Sequence, residues 1–163
     1  MAEIRISTAG IKLYYAVETS AGTMPTTMSS YTEIPEIVSI PAINDTPNTL
    51  DATPLSETIN HVYIDALNDN GGAIALTANF SQDLLTTWNT TIIGAYTTGQ
   101  ASSPAKNMWF CAIIPGFTQA FFMQGKPTPI GLPAAEVDTV LQCTLPVIPT
   151  GDMKWAAKPT TSP

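Results

Sequence analysis

The segment Ala73-Ile74-Ala75-Leu76-Thr77-Ala78-Asn79-Phe80-Ser81-Gln82-Asp83 holds the transition that decides the fold. Ile74, Leu76, Ala78 and Phe80 alternate with Ala73, Ala75, Thr77 and Asn79, the period-two pattern of a half-buried strand. Ser81 then carries the side chain of a helix N-cap, and Asp83 stands in the first turn, where the helix dipole favours an acid. Leu85, Trp88, Ile92 and Tyr96 follow at spacings of three and four, predicting one apolar stripe on a helix over 82–97. Thr86, Thr87, Thr90, Thr91 and Gly94 are poor helix formers, so packing must hold this helix. Gly99 is its expected terminator.

Outward from this unit the chain reads as short strands. Lys12 to Val17 is rich in aromatic and aliphatic residues, and Ser20 to Ser30 is loop. His61 to Leu67 resembles a short strand, and Asn68-Asp69-Asn70-Gly71-Gly72 predicts a hairpin turn after it. Met108 to Ile114 is apolar on both parities, as a strand covered on both faces would be, with one face on the helix and the other on a neighbouring chain or sheet. Pro115-Gly116 is a turn leading into an aromatic strand, Phe117 to Gln124, and Gly125 to Pro133 is a turn-rich connection. In Glu136 to Val147 one face collects Val137, Thr139, Leu141, Cys143, Leu145 and Val147. The expected class is mainly β (α+β), with β-sandwich or barrel-forming sheets, one flanking α-helix and a long assembly loop. A single domain over 1–150 is followed by a polar carboxy-terminal tail, 151–163.

The long loop spans 33–60. Pro35, Pro41, Pro47 and Pro54 interrupt any helix or central strand there. Yet Ile34, Ile37, Ile40, Ile43, Leu50, Leu55 and Ile59 make it too apolar for a free linker. The expectation is that it is ordered by lying on another subunit. Ile37, Ile40, Ile43, Leu50 and Leu55 are its candidate interface residues.

Charge supports assembly over catalysis. Charged residues are 12% of the 163, about half the usual share of roughly 25%. Surface kept in permanent interfaces needs fewer charges. The net charge is −7, and no lysine or arginine occurs from Leu13 to Ala105, which excludes a nucleic-acid-binding footprint. Glu36, Asp45, Asp51, Glu57, Asp65 and Asp69 belong to this unopposed acidic middle, an asymmetry that can favour head-to-tail stacking.

Catalytic patterns are missing. His61 is the single histidine, and nothing in the sequence connects it to a serine or cysteine nucleophile. Cys111 and Cys143 are too few and too far apart for a zinc site or a disulfide framework, and read as buried thiols. Asp65 to Gly71 fails as a calcium loop, because Leu67 and Asn70 occupy its third and sixth positions. No phosphate-binding glycine loop occurs. The chain is read as a non-enzyme without cofactor or metal. It shows no secretory leader, and no apolar run approaches the ~18 residues that span a bilayer, so no membrane association is expected.

In order, the layout is an amino-terminal strand pair, a long loop, a strand entering one helix, an aromatic strand, two more strands and a tail. With the segments Leu13-Tyr14-Tyr15-Ala16-Val17-Glu18, Ile34-Pro35-Glu36-Ile37, Glu57 through Gly72 and Glu136 through Pro149, it resembles the major tail tube proteins of long-tailed phages with flexible, non-contractile tails. That resemblance implies a virion protein, made in the host cytoplasm. Six copies would form a ring, and rings would stack into the hollow tail tube through which DNA passes without specific binding, with Glu36, Asp45, Asp51, Glu57, Asp65 and Asp69 as candidate acidic lumen or ring-stacking residues. It implies as partners identical subunits, the tape-measure protein and the tail terminator and initiator proteins. Two alternatives share parts of this pattern. One is the tube protein of a contractile tail or secretion apparatus. The other is a β-sandwich module for glycan or host surface, which needs Trp88, Trp109 and Trp155 exposed together.

Overall fold

The computed structural model of the chain describes residues 7–67 and 71–161. Among these residues, nine strands and one long helix make the fold mainly β, the expected class. The strands are β1 (Lys12–Val17), β2 (Thr32–Glu33), β3 (Ile37–Ser39), β4 (Thr49–Asp51), β5 (Tyr63–Asp65), β6 (Ile74–Asn79), β7 (Met108–Ile113), β8 (Gln119–Pro127) and β9 (Gln142–Ala157). Seven of them form one curled sheet in the order β2-β1-β7-β8-β9-β6-β3, all neighbours antiparallel. The other two, β4 and β5, pair only with each other in a separate ribbon.

The helix α1 runs without a break through Gln82–Thr86, Thr87–Ile92 and Ile93–Ala101, its middle segment wound as a π-helix. The Ser81 hydroxyl accepts from the Leu84 N–H at 3.1 Å, so the expected N-cap is in place. Trp88 and Ile92 of the expected stripe are buried, with Leu84 beside them, while Leu85 and Tyr96 pack half-buried against the same core. Residues four apart drift about 40° per step on a 3.6-residue helix, and a wider π turn keeps them aligned. Gly99 does not end the helix, which continues to Ala101. A Cβ on Gly99 would stand 3.0 Å from Val17 Cγ1 and 3.1 Å from the Lys106 carbonyl oxygen. The glycine therefore permits close packing against β1 and the chain entering β7.

The two faces of the sheet carry separate cores. Leu13, Tyr15, Leu76, Phe110, Met123 and Val147 pack with the helix residues Leu84, Trp88 and Ile92. On the other face Ala16, Tyr31, Trp109, Cys111, Ala120 and Phe122 form a second cluster, with Met24 and Met28 against it. β7 alternates between the two, which explains its unbroken apolarity. Its second face is thus covered by the chain's own 24–31 segment, and not by the neighbouring chain or sheet that its apolarity suggests. Two contacts hold this cover in place. Thr27 bridges to Thr160 through the backbone, and the Tyr31 hydroxyl donates to the Pro25 carbonyl at 2.9 Å.

β9 departs most from expectation. Residues 136–141 are loop, with Val137 and Val140 exposed. The strand instead begins at Gln142 and continues to Ala157, through the boundary placed at residue 150 and into the expected tail. Residues 142–147 pair with β6, whereas 147–157 pair with β8. Each half therefore has a single strand neighbour, which is how Pro146 and Pro149 fit inside a strand. β8 likewise extends past its expected end, to Pro127. Gly125 is required there, since a Cβ would lie 2.5 Å from Val147 Cγ1 and 3.3 Å from the Phe110 ring.

The hairpin expected between residues 61–67 and 73–80 does not form: β5 pairs with β4, and β6 with β3 and β9. Asn68, Asp69 and Asn70 lie outside the described residues.

Candidate functional site: an exposed arm beside an apolar groove

The loop over 33–60 is neither structureless nor one body. Ile34 is buried beneath β1, its N–H donating to the Leu13 carbonyl at 2.8 Å. Ile37 enters the main sheet in β3, and Ile40 and Ile43 pack against the helix-side core of their own chain. Beyond Asn44 the chain leaves that core. Asn48 and Ala66 close the base of an arm, with the Ala66 N–H donating to the Asn48 carbonyl at 2.8 Å, and the Ala52 N–H donates to the Val62 carbonyl at the same distance. All six residues of β4 and β5 are exposed. Leu50 retains 58% of its accessible surface, and Leu55, Ile59 and Leu67 are almost fully exposed.

The five candidate interface residues therefore divide. Ile37, Ile40 and Ile43 pack at home, while Leu50 and Leu55 project on the arm.

Residues 40–44 run as a strap over the sheet, and between strap and sheet lies an apolar cavity of about 340 Å³. Ile11, Leu13, Ile40, Ile43, Phe121 and Trp155 contribute to its walls, with Phe110 and Met123 beneath. Trp155 is 49% exposed and packs edge-on against Phe121, centroids 5.5 Å apart, with Phe117 on its other side at 6.1 Å. At one margin Lys158 Nζ donates to the carbonyl of Ile114, another wall residue, at 2.9 Å. Lys12, between the wall residues Ile11 and Leu13, pairs with Glu33 at 2.9 Å.

The candidate acids are similarly divided. Asp51, Glu57 and Asp65 are exposed on the arm, and Asp45 is exposed just before it. Glu36 lies apart, in the turn between β2 and β3, in a left-handed conformation (φ 64°) with its carbonyl accepting from the Asn79 N–H at 2.9 Å. Asp69 is outside the described residues. Glu57 caps its own turn by accepting from the N–H groups of Ile59, Asn60 and Thr58, which hold its carboxyl below the usual range.

One cluster escaped the sequence reading because His61 meets Asp51 and Thr53 only through β4–β5 pairing. The Thr53 hydroxyl donates to Asp51 Oδ1, and His61 Nδ1 lies 3.2 Å from Asp51 Oδ2 and 3.4 Å from Thr53 Oγ1. The Val62 N–H donates to Thr53 Oγ1 at 2.9 Å. The Thr53 hydroxyl and N–H, followed by His61, hold Asp51 below the usual carboxylate range. The hydroxyl donates its hydrogen bond directly to the carboxylate, and the Asp51 and His61 side chains are open to water, so the cluster is suited to pinning the ribbon rather than to activating a nucleophile. Among the described residues no group of three or more His, Cys, Asp and Glu side chains is placed to hold a metal ion. Cys111 and Cys143 are buried free thiols, and burial pushes the Cys111 thiol up to about 12.

The three tryptophans do not share a surface. Trp88 and Trp109 are buried on opposite faces of the sheet, and Trp155 alone is open. Among the described residues no helix is long and apolar enough to cross a membrane.

No family model and no curated protein matches the chain. Among solved structures it is similar to a chain of the anti-feeding prophage baseplate, determined by cryo-EM with six-fold symmetry imposed. The likeness covers 96% of this chain and 98% of that one at a TM-score of 0.59, with 12% sequence identity. It is a likeness of the whole fold.

Proposed function

We propose that this chain is a structural, non-catalytic subunit of a phage-tail-like particle. It assembles with copies of itself into rings, six to a ring, that stack into a hollow tube. The observation that carries this reading is the end-to-end fold likeness to a chain of a six-fold prophage baseplate. The arm adds to it, because a two-stranded ribbon with exposed leucines is marginal in water and is stabilised by a surface to lie on. The low charge density also fits a chain with much of its surface in interfaces.

In this role the tube is part of the virion, built in the host cytoplasm, with tape-measure, terminator and initiator proteins as further partners. DNA passes without specific binding, since the region from Leu13 to Ala105, without lysine or arginine, offers phosphates little purchase. The sequence layout favours a long non-contractile tail. The baseplate origin of the structural neighbour favours the alternative, in which the same fold builds the tube of a contractile tail or secretion apparatus. Sedimentation velocity across a concentration series tests self-assembly. Species growing in discrete large steps support it, and a monomer at every concentration contradicts it.

A further inference from the structure

We infer that the arm of one copy seats in the apolar groove of the next, with Leu50 and Leu55 as its anchors and the strap residues Ile40 and Ile43 as part of the receiving wall. This rests on the assembly reading and gives it a specific contact. It divides the apolar residues of one continuous stretch into a donor and an acceptor.

Three observations point to a second copy as the occupant. The first is shape and polarity. The groove offers about 340 Å³ walled by aliphatic and aromatic side chains, and the arm presents leucines that its own fold leaves in water. The second is charge. From Asp45 to Leu67 the chain holds Asp45, Asp51, Glu57 and Asp65 and no lysine or arginine. The groove has Lys158 at the carbonyl of one wall residue, whereas Lys12, between two others, is already paired with Glu33. An acidic arm is therefore drawn to the Lys158 margin. The third is connectivity. Donor and acceptor lie on every copy, so each chain gives one arm and receives one. Passed on from copy to copy, the contact closes into rings or propagates as a filament, whereas reciprocal exchange between two copies stops at a dimer.

Trp155 makes the contact measurable, since Trp88 and Trp109 are buried and Trp155 lines the groove. In the wild-type protein, assembly should shift tryptophan emission to the blue and remove access of acrylamide to Trp155. The double variant Leu50→Asp/Leu55→Asp should keep a native circular dichroism spectrum, lose assembly, and leave Trp155 open to quencher. The groove variant Trp155→Glu should also fail to assemble.

Mixing the two variants restores one intact arm and one intact groove. The mixture should give a complex with one chain of each and go no further, with the Trp155 of the arm variant now protected. A mixture that stays monomeric overturns the inference and transfers the groove to another protein. Wild-type assemblies in which Trp155 remains fully quenchable overturn it too, while leaving the tube reading standing. A mixed complex without any wild-type rings upholds the docking and counts against the tube.

Discussion

The indole N–H of Trp109 donates to Oε1 of Glu18 at 3.0 Å, joining the end of β1 to β7 across ninety-one residues of sequence. The other carboxylate oxygen accepts from the N–H groups of Gly22 at 2.8 Å and Asn107 at 3.0 Å. Glu18 is 2% exposed, so these three donors replace its water. Burial opposes the charged form, but the Asn107, Trp109 and Gly22 hydrogen bonds outweigh it and hold the carboxyl below its ordinary value of 4.5. A depressed folded-state value means the stabilisation is complete above that ordinary value and is lost as pH falls through it toward the folded value. Glu18→Gln removes the charge and places an amide NH₂ against N–H donors. The expected cost is about 2–3 kcal/mol at neutral pH, with a flatter stability profile in acid, measured by urea titration across pH. An unchanged acid slope would remove Glu18 as its source.

Gly125 and Gly151 offer a contrast. A Cβ at Gly125 meets the fully buried Val147 and the Phe110 ring, neither of which has room to move. Gly125→Ala should cost about 1–3 kcal/mol by overpacking. At Gly151 the obstacle is the far end of the Gln124 side chain, which can swing aside. Gly151→Ala should cost less than about 1 kcal/mol, within the range of surface substitutions. Thermal melts of the two variants side by side decide this, and equal losses would refute it.

Ser81→Ala removes the oxygen that accepts the Leu84 N–H. Loss of such a cap costs about 1 kcal/mol. Because the threonine-rich helix depends on packing, the loss should appear as a lower global midpoint without local fraying in amide exchange. Fraying confined to 82–86 would show that the helix end is held independently of the core.

The arm can be removed without touching the core. Asn48 and Ala66 already meet through a backbone hydrogen bond, so replacing 49–65 by a two-glycine link leaves both ends in place. The product should fold, melt close to the wild-type temperature, and remain monomeric. A deletion from Ile43 to Leu55 is a poorer test, since Ile43 packs on the core. Unfolding of the glycine-linked protein would assign the arm a role in the fold itself.

Much of the sheet was legible because local pattern and tertiary partner agreed. Ile74 to Phe80, Ser81 and Met108 to Ile113 each behave as their periodicity requires. The failures arise where pattern and partner separate. Val137 and Leu141 continue the alternation of Cys143, Leu145 and Val147, but among the described residues no strand pairs with them. Pro146 and Pro149 look like breaks, and become acceptable only because β9 changes partner at Val147. Apolar spacing marked Ile40, Ile43, Leu50 and Leu55 as one set, since periodicity shows that a side chain needs cover and not which surface supplies it. His61 stands eight residues from Thr53 and ten from Asp51, too far for spacing to join it to them before the ribbon is known.

The most direct test of self-assembly into a tube is electron microscopy of the purified full-length protein, stained after dilution and again after concentration. Rings with six-fold averages, stacking into hollow tubes of regular axial repeat as concentration rises, are the expected result. Dispersed single-chain particles at every concentration would contradict it.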